Sequence, residues 1–74
     1  MQVVLTGRRS GLNRVKLIHY LCAHTTWNLA QSWQATDDLS FGKQVIAEFA
    51  DNSDRLNVKI DLLEIGAYSE ISGP

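Results

Sequence analysis

The sequence predicts an α+β domain, and three stretches carry that prediction. Gln2–Thr6 is short, rich in β-branched residues and closed by Gly7, the pattern of a strand. Arg14–Ala23 repeats its apolar residues at helical spacing. Lys43–Phe49 alternates, with Val45, Ala47 and Phe49 on one side and Gln44 and Glu48 on the other, as a half-buried strand does.

Each element follows from its residues in turn. After the first strand, Gly7–Asn13 forms a loop, and Asn13 can accept an otherwise orphaned backbone N–H at the start of a helix. Along residues 14–23, Leu17, Tyr20, Leu21 and His24 share one face, and Val15, Ile18 and Cys22 share the next. This helix is apolar over more of its circumference than one core contact needs, which leaves a surface for something else. Thr25-Thr26-Trp27-Asn28 interrupts the pattern and caps a second helix over residues 28–36. Trp27 is expected to be partly buried in that turn, while Trp33 reads equally as core or as an exposed anchor. Asp37-Asp38 should lie in the following turn, because carboxylates oppose the dipole at a helix C-terminus.

Residues 52–65 admit two readings. Leu56, Val58, Ile60 and Leu62 alternate as a strand would. Leu56, Ile60 and Leu63 also fit one helical stripe, and Val58, Leu62 and Ile65 its neighbour. Cap candidates stand at Asp51–Asp54, and Gly66 suits the end of a helix. Ala67–Ser72 reads as a last short strand. The expected core is Val4, Leu17, Leu21, Leu29, Val45, Phe49, Leu62 and Ile65.

The 74 residues form one domain, 1–74, of limited core. At 45% apolar and 20% charged, the composition is that of a folded protein. One cysteine, Cys22, excludes an internal disulfide and points to a reducing cytoplasm. No apolar run approaches the ~20 residues that span a bilayer, so no membrane role is expected. The net charge of −1 conceals two ends. Residues 1–36 carry Arg8, Arg9, Arg14 and Lys16 with no carboxylate, whereas 37–74 carry all eight carboxylates against three cations. A near-neutral total argues against nucleic acid as the main partner, and the basic end suits an acidic protein surface.

The order of signals resembles a known family. Val3-Val4-Leu5-Thr6-Gly7, then Gly11-Leu12-Asn13-Arg14-Val15-Lys16-Leu17-Ile18, is similar to the C-terminal domain of the bacterial large-subunit ribosomal stalk protein, and to small free-standing relatives of that domain. Gly42-Lys43-Gln44-Val45, Glu48-Phe49-Ala50-Asp51 and Gly66-Ala67 fall in step with it, so the resemblance covers nearly the whole chain. It implies a β-α-α-β-α-β order, with helices on one face of a three-stranded antiparallel sheet and residues 52–65 helical. In that family, translation factors dock on the first two helices through basic and small apolar residues, and Arg14, Val15 and Ile18 match that surface. His19, Cys22 and Trp33 stand where the family is basic. Thr26–Trp33 also departs from its Gly-Leu-Gly-Leu turn and Lys/Glu-rich second helix.

The function expected is therefore a non-catalytic protein-interaction module. Its partner would be a ribosome or translation factor, or another acidic and apolar surface. Arg8, Arg9, Arg14 and Lys16 would steer it, Val15, Ile18 and Trp33 would form the desolvated centre, and His19 and Cys22 would lie within the same surface. A weak homodimer through the first two helices is expected from the same apolar residues. The Clp-protease adaptor shares the fold and is the alternative, but Arg8-Arg9-Ser10-Gly11 puts positive charge where that family carries an acidic segment for a peptide amine. A Cys/His enzyme ranks lower: His19, Cys22 and His24 lack further ligands for a metal and a partner to orient a nucleophile. The loop Gly7–Gly11 lacks the spacing of a phosphate cradle. No catalytic residue, metal or cofactor is assigned.

Overall fold

The computed structural model describes residues 1–50 and 52–71. The chain runs β1 (Gln2–Arg8), α1 (Arg14–His24), α2 (Leu29–Ser40), β2 (Val45–Glu48), α3 (Arg55–Ile65) and β3 (Ala67–Ile71). The strands form one antiparallel sheet in the order β2-β1-β3. Helix α2 packs on β1 and β2, α3 packs on β3, and α1 packs against both helices. The expected β-α-α-β-α-β fold is the observed one. Among the described residues, no helix is long and apolar enough to cross a membrane.

Strand parity decides which half of each strand is core. Val3 and Leu5 face the helices and are fully buried, paired with Ala47 and Val45 across β2. Val4 therefore points to the far face and is only half-buried, against the expectation that it belongs to the core. A one-residue shift in parity exchanges the two faces of a strand. Ile65 is likewise only half-buried, at the end of α3 beside the turn. The centre is filled by Leu17 and Leu21 from α1, Leu39 from α2, Val58 and Leu62 from α3, and Phe49 just past β2.

The caps of α1 and α2 hold as read, whereas α3 starts at Arg55 rather than at the expected 52 and takes Asp54 as its cap. Asn13 accepts from the Lys16 amide, and Asn28 and Gln31 form a reciprocal capping box at the start of α2. Asp54 accepts from the amides of Leu56 and Asn57, and Gly66 closes α3 at φ +112°. The alternation over 56–62 is thus two interleaved helical stripes. Val58 and Leu62 are buried, while Leu56, Ile60 and Leu63 face solvent.

Helix α2 overruns its expected end by four residues, and Asp37 and Asp38 sit in its last turns rather than beyond them. Burial of Leu39 holds that extension in place, and the arginine beside Asp37 offsets the dipole. The inward face of α2 is Ser32, Ala35, Thr36 and Leu39. Leu29, expected in the core, is instead 62% exposed. Small residues let the helix approach α1 closely, and the Thr36 hydroxyl is satisfied by donating to the Ser32 carbonyl at 2.9 Å. β2 is shorter than the expected 43–49, and position 72 of the last strand lies outside the described residues.

Candidate functional site

Helices α1 and α2 run antiparallel. Arg14, at the start of α1, reaches Asp37 and the Ser40 hydroxyl at the end of α2, while Cys22, near the end of α1, reaches Ser32 in the first half of α2. On their outer side, the two helices leave a groove of about 570 Å³ lined by Val15, Ile18, His19, Leu29, Ala30 and Trp33. Val15 and Trp33 are 63% and 50% exposed and form its walls, and Ile18, almost wholly buried, forms its floor. An indole half in water has apolar area left to bury, and it stands on a rigid helix that loses little freedom on doing so. No carboxylate lines the groove.

Sequence-expected residues divide into three groups. Val15, Ile18, His19 and Trp33 are brought together in the groove. Cys22 is not: its thiol is turned between the helices, 3.2 Å from the Ser32 hydroxyl. His24 lies tilted against Tyr20 at 4.2 Å between ring centroids and parallel to Phe49 at 6.1 Å, so the histidines and the thiol do not converge. Among the described residues, no group of three His, Cys, Asp or Glu side chains could hold a metal ion.

The cations are the third group, and three of the four already have work within the domain. Arg14 forms an ion pair with Asp37 and donates to Ser40. Arg8 donates to the Ser40 carbonyl at 3.1 Å, and Arg9 to the Leu63 carbonyl at 3.2 Å. Neither α2 nor α3 has a basic residue in its last turn, so Arg8 at the end of β1 and Arg9 just past it supply the positive charge that helix C-termini attract. Their side chains remain at the surface, so part of their field still reaches outward. Lys16 is the fourth cation, exposed on α1.

Sequence reading missed Leu29 and Ala30 as groove residues. The available signal was the i, i+4 pair of Leu29 and Trp33. It was obscured because the buried stripe of α2 contains Ser32 and Thr36, which do not look like core. A second polar cluster lies across the molecule. The Tyr20 hydroxyl donates to Asp61 at 3.0 Å and ties α1 to α3. Its pKa is raised well above the ordinary tyrosine value, first by burial and then by the hydrogen bond to Asp61 and that carboxylate's charge. The group stays protonated and acts as a strut. No protein-family model, curated protein or solved structure matches this chain.

Proposed function

We propose that the domain is a non-catalytic protein-interaction module that receives an apolar segment with acidic flanks in the α1/α2 groove. The observation that carries this reading is the groove itself, in which two exposed walls, Val15 and Trp33, stand over an apolar floor with no carboxylate in the lining. Lys16 and the outward field of Arg8, Arg9 and Arg14 favour acidic flanks on the partner, and a pocket centred on an aromatic side chain is the common form of a binding hot spot. The resemblance to the ribosomal stalk domain makes a ribosome or a translational GTPase the first partner to test, in a cytoplasmic setting.

Affinity-tagged protein should recover a defined partner from lysate. Val15→Glu and Trp33→Ala should each lose it while remaining folded, Val15→Glu near the wild-type melting point and Trp33→Ala somewhat below it, because Val15 is largely exposed and Trp33 only half exposed. Recovery of ribosomes or a translational GTPase dependent on both residues supports the reading. Recovery that is indifferent to both substitutions refutes the groove as the site.

A further inference from the structure

Outside the groove, large apolar side chains are exposed at Phe41, at Ile46 and Tyr68 on the far face of the sheet, and in a stripe along α3. On α3, Leu56, Ile60 and Leu63 are all exposed, Leu56 by 67%. Their spacing of four then three residues is that of d, a and d positions in a coiled-coil heptad. The stripe lies opposite Val58 and Leu62, which face the core, and only its Leu63 end borders another element, where Lys59 and Leu63 line a shallow pocket with Tyr68 and Glu70 of β3. The choice of residues is specific. Leucine at d with isoleucine at a is the combination that favours two parallel strands. On that heptad Lys59 occupies g and Glu64 occupies e, and both are exposed. A g residue of one parallel helix faces the e residue five positions later on the other, which here sets Lys59 against the partner's Glu64, twice by symmetry. An antiparallel pair centred on Ile60 would instead set Lys59 beside the partner's Lys59.

We propose that α3 is a self-association face, through which two copies of this chain pair in parallel along Leu56, Ile60 and Leu63 and exchange two Lys59–Glu64 ion pairs. The seam has only three layers, so the dimer is weak and forms with concentration. It differs from the α1/α2 pairing that the sequence suggests, because α1 lies between α2 and α3 and the groove stays open in both copies. Two grooves per dimer would let a repeated partner segment bind with added avidity.

Analytical ultracentrifugation of the whole chain up to about 1 mM, a range that detects even millimolar dissociation constants, tests this. Wild type should show a monomer–dimer equilibrium, and Ile60→Lys should weaken it at least about tenfold by placing two ammonium groups in the seam. Lys59→Glu and Glu64→Lys alone should each weaken it, and the double swap should restore it; this rescue separates the ion pairs from any loss of folding. Leu56→Cys, in a Cys22→Ser background, should form a disulfide-linked dimer on mild oxidation, since parallel pairing sets position 56 against itself. A wild-type monomer throughout, a dimer abolished by Val15→Lys but indifferent to Ile60→Lys, or a double swap without rescue would each overturn the proposal.

Discussion

Replacing Gly66 by alanine tests how the loop before α1 is held. Gly66 closes α3 at φ +112°, outside the range that L-residues adopt comfortably, which costs about 1–2 kcal/mol for alanine. An added Cβ would also lie 2.9 Å from the Leu12 Cα. That neighbour is backbone, and its loop is pinned by hydrogen bonds from the Arg9 amide to the Gly66 carbonyl at 2.7 Å and from the Asn13 amide to the Ile65 carbonyl at 3.0 Å. Relieving the contact stretches or breaks one of them, at roughly 1 kcal/mol. The expected total is about 2–3 kcal/mol, a large share of the ~4–11 kcal/mol a chain this size holds. Gly42 supplies the comparison. Its φ is +83°, and nothing lies within 4 Å of an added Cβ, so Gly42→Ala carries the conformational cost alone. Urea unfolding followed by tryptophan fluorescence and circular dichroism should show Gly66→Ala less stable than Gly42→Ala by at least about 1 kcal/mol, with unchanged m-values. Equal losses at the two glycines would refute the claim that close approach to Leu12 fixes this turn.

Two further outcomes follow from burial and ionisation. Leu39→Ala should cost about 2–5 kcal/mol because it empties a fully buried site, while Leu29→Ala should change stability by less than about 0.5 kcal/mol; thermal melts of the two variants check the exchange of roles within α2. Tyr20 keeps its proton in the folded state beyond the ordinary tyrosine value. Its contribution to stability is therefore fully present below about pH 10 and declines as the pH rises further, because the unfolded chain ionises first. Unfolding measured from neutral to strongly alkaline pH should show that decline reduced in Tyr20→Phe, which also loses the bond to Asp61; identical slopes in the two proteins would count against the strut.

Much of this architecture is written locally. Asn13, Asn28 and Asp54 cap helices because a short side-chain acceptor beside a free amide is a local arrangement, readable from a few residues. Alternation in Val45–Phe49 likewise gave the inward face of β2, and helical spacing along α1 gave Leu17 and Leu21 as core and Val15 as surplus. What the local pattern left open was decided by packing partners distant in sequence. Val4 lost its place to Val3 and Leu5 because β1 is the central strand, and its parity is set by pairing with both neighbours. Leu29 lost its place because α2 turns its small residues inward, Ser32 against Cys22 of α1 and Ala35 beside Val45 of β2, and with Thr36 and Leu39 they fill the buried face. The same rotation exposes Trp33 and opens the groove. The basic loop shows the limit most clearly. Sequence identifies four cations without a nearby carboxylate, but only the fold brings Asp37, the Ser40 carbonyl and the Leu63 carbonyl within reach of the three arginines. Charge is a property of residues, whereas its neutralisation depends on which helix ends the chain folds beside them.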